Sequence, residues 1–150
     1  MTATDLIESL NLRPLEFEGG YYRETYRSAH SSAIYYLLTP ETFSRMHRLP
    51  TDEIYHFYCG DAVELLILDQ QGQSGVITLG HDIGSGEHVQ YTVHGGKWQG
   101  SRLVEGGKVA LMGTTMAPGF DFTGFEGGVR KALLASYPEH EARIRALTPD

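Results

Sequence analysis

The chain has one cysteine, Cys59, so an internal disulfide is excluded and the fold must be held by its own core. No apolar run approaches the roughly 20 residues that a membrane-spanning helix needs, and no membrane partner is expected. The opening residues, MTATDLIESLNLRP, lack both a basic start and an apolar core. They do not read as a signal peptide, and a cytoplasmic location is expected. Basic clusters longer than a pair are also missing: 12 Lys and Arg stand against 19 Asp and Glu, a net charge of −7. Nucleic acid binding relies on a local positive field that displaces counterions, so no nucleic acid partner is expected. No repeat recurs at a fixed period, which argues against a solenoid or propeller.

What is present is a mid-sized, aromatic, glycine-punctuated chain. At 150 residues and 41% hydrophobic it is long enough for one domain over residues 1–150, and too apolar for disorder. Its 18 glycines separate short runs rich in Ile, Val, Leu, Tyr and Thr. That spacing predicts an all-β sandwich or barrel. Strands are predicted at Tyr21–Tyr26, Ala33–Leu38, Glu53–Tyr58, Val63–Leu68, Val76–Leu79, Val89–Val93, Lys97–Val104 and Val109–Met116. Hairpin turns are expected at Asp69-Gln70-Gln71-Gly72, His94-Gly95-Gly96 and Glu105-Gly106-Gly107. A short helix is predicted over Thr4–Leu10 with Thr4 as its cap. Two more are predicted at Val129–Ala135 and Glu139–Leu147, the second opened by Pro138. Such terminal helices cover a barrel from outside.

The densest chemistry lies between His47 and Gly60, where His47, Glu53 and Gly60 are spaced by six and seven positions. This resembles the first motif of the cupin superfamily, H-x-H-x(3,4)-E-x(6)-G, with Leu49 where the second histidine belongs. Downstream, His94 to Leu103 resembles the second cupin motif, G-x(5)-P-x-G-x(2)-H-x(3)-N. There Gly96 is kept, while His94 replaces the proline, Gln99 the metal-binding histidine and Leu103 the asparagine. The runs Glu18-Gly19-Gly20-Tyr21-Tyr22-Arg23-Glu24-Thr25-Tyr26, Asp52 to Tyr58, Lys97-Trp98-Gln99 and Ala117 to Phe122 look like a branch of small cupins catalogued as a domain of unknown function. The resemblance implies a double-stranded β-helix of jelly-roll type and a homodimer, and it assigns no reaction.

Metal-binding cupins use three histidines and a glutamate around an open position. Two of those histidines are lost here, and the remaining set of His47, Glu53 and Gln99 is weak, because an amide is a poor ligand for a borderline metal. On a regular strand from Glu53, residues 53, 55 and 57 share one face. His56 therefore points away and joins the set only if a bulge turns it inward. No cofactor is expected, a divalent metal being the alternative. Glu53 is read as a general base and His47 as its acid partner. Tyr36, Tyr55, Phe57, Tyr91 and Trp98 are candidate pocket walls, with Arg23, Gln90 and Gln99 as polar contacts for a small polar metabolite. Arg23 in particular suits a carboxylate or phosphate. Three functions follow from this reading: a small-molecule-binding cupin of unassigned activity, with metal-independent sugar or metabolite isomerisation or epimerisation as its candidate reaction; a metal-dependent cupin isomerase or dioxygenase with a degenerate His/Glu site; or a non-catalytic dimeric binding or scaffold protein. Cys59, with no neighbouring cation in sequence, reads as a small buried hydrophobe on its strand rather than a nucleophile.

Overall fold

A computed structural model describes residues 1–71 and 74–149. Gly72, the last residue of the first expected turn, lies outside the described residues.

Two antiparallel sheets face each other and enclose the main core. The larger is built from β1 (Arg13–Pro14), β2 (Tyr21–Arg27), β3 (Ser32–Leu38), β10 (Ala110–Met116), β5 (Glu53–Gly60) and β8 (Gln90–Val93), in that order across the sheet. The smaller runs β11 (Glu126–Gly127), β4 (Ser44–Arg48), β9 (Trp98–Leu103), β6 (Val63–Leu68) and β7 (Gly75–Leu79). The result is a jelly-roll barrel; the strand spacing predicts a sandwich or barrel, and the jelly-roll type is what the cupin resemblance implies. β4 was not among the expected strands. Its residues carry no apolar alternation, and its pairing with β9 slips between Ser44 and His47.

Strand alternation divides the core in two directions. Tyr36, Leu38, Tyr55, Phe57, Leu65 and Met112 fill the barrel interior. Their neighbours Leu37 and Leu111 turn outward and pack on Leu6 of α1 (Ala3–Ser9). That helix is capped by Thr2, not Thr4: the Asp5 amide donates to Thr2 Oγ1 at 3.1 Å and the Thr2 amide to Asp5 Oδ2 at 2.9 Å, a reciprocal cap.

On the other side, Met46, Leu66 and Leu68 leave the smaller sheet outward and meet Leu133 of α2 (Arg130–Ser136) and Ile144 of α3 (Glu141–Ala146). A single 3-10 turn at Pro138–His140 separates the helices, so the second one starts later than Pro138 suggests. Both pack outside the barrel, as the sequence predicts. Among the described residues no helix is long and apolar enough to cross a membrane.

Candidate functional site

β4 and β9 pair with His47 opposite Gln99, and both side chains point into the barrel. From the facing sheet, β5 contributes Glu53 and Tyr55 by the same alternation. The four meet in the interior. Gln99 Nε2 donates to Glu53 Oε1 at 3.1 Å, and the Tyr55 hydroxyl donates to Gln99 Oε1 at 2.5 Å. This fixes the amide: its carbonyl faces the phenol and its NH2 faces the carboxylate.

A second string of polar groups reaches the same place from β1–β2. Tyr36 Oη donates to the Gly19 carbonyl at 2.6 Å, and Ser44 Oγ donates to Glu18 Oε2 at 2.7 Å. Gly19 and Gly20 have positive φ, and a Cβ on Gly20 would overlap the Tyr36 hydroxyl, so glycine is what lets the chain pass so close.

His47 is 1% exposed and lies between these strings. Its Nδ1 is 2.7 Å from the Arg45 carbonyl, so Nδ1 carries the proton and Nε2 is left with its lone pair in the neutral ring. Nε2 is 3.8 Å from Glu18 Oε1 and, among the described residues, has no hydrogen-bond partner although buried. A buried imidazole nitrogen without a partner is a costly arrangement unless something else engages it.

The electrostatics follow from burial. Glu53 is 8% exposed. Its carboxyl is pushed above the ordinary carboxylate range, first by burial and then by the nearby Glu18 carboxylate. His47 and hydrogen bonds from Thr114 and Gln99 oppose the rise. Tyr36 and Tyr55 are held as protonated phenols well beyond their ordinary range, again first by burial.

Beside this cluster a cleft of about 580 Å³ opens to the surface, with Glu18 in its wall. Phe17, Phe120 and Phe122 line it, and Phe125 closes the group from behind. Phe125 stacks on the His47 ring at 5.2 Å and meets Phe17 edge-on at 4.9 Å. Aromatic rings therefore separate the imidazole from solvent, while Glu18 touches both compartments.

Of the residues singled out from sequence, His47, Glu53, Gln99, Tyr36, Tyr55 and Phe57 come together inside the barrel. Tyr91 packs on the edge of that core. Three others do not join them. Arg23 lies on the outer face of the larger sheet, donates to the Leu10 carbonyl at 2.8 Å and sits 5.4 Å from the Tyr35 ring. Gln90 is exposed beside His56 on that same outer face. Trp98 faces α2 with Arg48 over its ring at 4.5 Å. The cause is alternation: Trp98 precedes inward Gln99, and Arg23 follows Tyr22, which packs on the core. Cys59 is exposed rather than buried, since the ladder slips near Tyr58 and the last three residues of β5 reach solvent.

The donor set does not fit a cupin-type metal centre. Leu49 offers carbon, the Gln99 carbonyl is taken by Tyr55, and His56 faces outward with Nε2 2.9 Å from Thr115 Oγ1. Among the described residues no group of three His, Cys, Asp or Glu side chains is placed to hold a metal ion. Sequence reasoning missed Glu18, Ser44, Thr114 and the phenylalanine group. Glu18 lies in a loop with no periodicity to orient it, although its place before a glycine pair was a usable signal.

A family model described as cupin superfamily (DUF985) matches residues 4–127. A hypothetical protein from Leishmania major is similar in structure, at TM-score 0.92 and 33% identity over 100% of both chains. A protein from Shewanella oneidensis is similar at TM-score 0.91 and 35% identity, covering 99% of this chain and 98% of the other. An uncharacterized protein of Saccharomyces cerevisiae is 29% identical over 131 residues, 70% of this chain. The chain spans 65% of that curated relative's length.

Proposed function

This chain belongs to the cupin superfamily, in the branch described as DUF985, and from that premise we propose that its barrel interior is a metal-independent acid–base centre acting on a small metabolite. The observation that carries the reading is His47 Nε2, buried and without a partner, set 3.8 Å from Glu18 and in the field of Glu53. One imidazole and two carboxyl groups gathered in one largely buried site can be tuned to opposite roles. The reaction this suits is epimerisation or isomerisation next to a carbonyl. Glu53 takes the proton from the carbon, and the C–H electron pair moves into the carbonyl. The oxygen gains a proton from His47, which enters the step as the imidazolium with Nε2–H beside Glu18; return of that proton to His47 and of the Glu53 proton to carbon completes the epimerisation. Gln99, itself fixed by the Tyr55 hydroxyl, holds the carboxyl in place.

The test needs no prior substrate. Wild type and His47→Gln are incubated in D2O with a panel of 2-oxo acids, ketoses and amino ketones, and proton NMR follows the loss of each C–H signal. At least one compound is expected to exchange, with the rate falling about 10²-fold or more in the variant. No exchange with wild type, or equal rates in the two proteins, overturns the reading.

The homodimer belongs to the same proposal. Half-buried Tyr35 and Ile54 and exposed Tyr26 and Tyr58 lie along the larger sheet's outer face, which a second copy would cover. Light scattering at micromolar concentration is expected to give twice the mass of 16.7 kDa, and a monomer removes this part.

A further inference from the structure

The cleft beside the cluster has walls and charges that select a ligand class. Phe17, Tyr22, Phe120 and Phe122 give it aromatic faces, Phe17 meeting Phe122 edge-on at 4.7 Å. Phe122 is 57% exposed, an unusual position for a large apolar ring unless something covers it.

Next come the charged groups. Glu18, Glu24, Asp121 and Arg27 all line the cleft. Among the described lining residues Arg27 is the one cation. Its guanidinium is already committed: it grips Glu24 through Nε at 3.0 Å and a terminal nitrogen at 2.8 Å, and donates to the Phe120 carbonyl at 2.9 Å. Asp121 shares the field of that same guanidinium, so one cation faces three carboxylates in the lining, and Glu18 has no Lys or Arg beside it among the described lining residues. Asp121 accepts from the Thr123 amide at 3.0 Å and hydroxyl at 2.8 Å, bonds that favour its charged form. Glu18 offers Oε1 with only the partnerless His47 nitrogen behind it at 3.8 Å. An incoming phosphate or carboxylate finds the one guanidinium already paired with Glu24 and three carboxylates in the same lining. A cation finds ring faces, whose quadrupoles attract it, and a carboxylate at the end of the path.

We propose that this cleft binds a small organic cation, a protonated or quaternary amine carried next to a flat or apolar body, with the amine directed at Glu18 and the body packed over the exposed ring of Phe122. This rests on the acid–base reading only in making the bound amine the substrate class of that site. It replaces the anionic ligand that Arg23 suggests from sequence.

Three probes of one shape test it: 2-phenylethylammonium, 2-phenylethanol and phenylacetate, with inorganic phosphate as a fourth. Calorimetric titration of the wild-type protein is expected to rank the ammonium at least about 10-fold tighter than phenylacetate, with phosphate not binding. Glu18→Gln keeps the acceptor for Ser44 and should bring the ammonium down to the affinity of the neutral alcohol. Phe122→Ala, at an exposed ring, should fold normally and weaken the ammonium about 10-fold. Tighter binding of phenylacetate or phosphate, equal binding of all three shapes, or no binding of the ammonium at millimolar concentration overturns the proposal. Because titration reads no turnover, these failures are separate from loss of D2O exchange, which removes the acid–base reading and leaves the ligand class untouched.

Discussion

Glu53→Gln is expected to slow proton exchange on the responsive substrate by about 10²- to 10⁴-fold, the range a positioned general base contributes. The same change should make the protein more stable at neutral pH. Burial raises the Glu53 carboxyl above its unfolded value, so the native state holds that proton more tightly than the unfolded chain does. As pH rises past the ordinary carboxylate range, the unfolded chain gives up its proton first, and native stability falls until the folded group also ionises. Glutamine is neutral throughout and escapes that loss, while its carbonyl still accepts from Gln99 Nε2. The stability gap between variant and wild type should therefore be small below the ordinary carboxylate range and widen as pH rises through it, until the folded carboxyl also ionises. Asp5, Asp52, Asp61 and Asp121, each lowered first by a backbone hydrogen bond, act in the opposite sense. They stabilise above the ordinary range and are lost as pH falls, but they are common to both proteins and cancel in the difference. Urea denaturation across that pH span reads the gap, and exchange NMR reads the rate. Unchanged exchange in the variant would remove Glu53 as the base, and a stability gap that does not vary with pH would place it outside the buried, ionising centre.

The same residues mark how far the sequence was legible. Period-two alternation over Glu53, Tyr55 and Phe57 correctly put those three on one face and His56 on the other, because no bulge intervenes before Tyr58. Applied consistently, that rule would also have rejected Trp98. Adjacent residues on one strand cannot both face the barrel, and Gln99 already does. β4 escaped for the opposite reason: Ser44-Arg45-Met46-His47-Arg48 sends Met46 to the helices and His47 to the interior across a slipped register, which leaves no simple pattern. Glu18 and the phenylalanines reach the site from loops. Their positions depend on contacts between segments about a hundred residues apart in sequence, such as Phe17 with Phe120, and no local periodicity encodes those.

Leu65→Ala should cost about 3 kcal/mol of folding stability, within the 2–5 kcal/mol typical of a buried leucine truncation. Leu65 is 0% exposed and sits on β6 between Ile77 of β7 and Ser101 of β9, in the same interior cluster as Tyr55 and Met112. Strands on both sides are tied by ladders, so the walls cannot collapse into the void, and the cavity term is kept in full. Leu66, one residue on, gives the comparison. It is 1% exposed but faces α2 and α3, of 7 and 6 residues. Helices this short have little stability of their own and are held by packing, so they can shift toward a missing side chain. Leu66→Ala should accordingly cost less, about 2 kcal/mol, and increase hydrogen exchange in the C-terminal helices before the strands. Urea denaturation of both variants gives the ranking. If Leu66→Ala proved the more damaging, the helices would be part of the rigid frame, and the position of His47 beside Met46 would depend on them. The opposite ranking, expected here, makes the closed barrel itself the element that holds Glu53, Gln99 and Tyr55 in register, which is what a preorganised proton-transfer site requires.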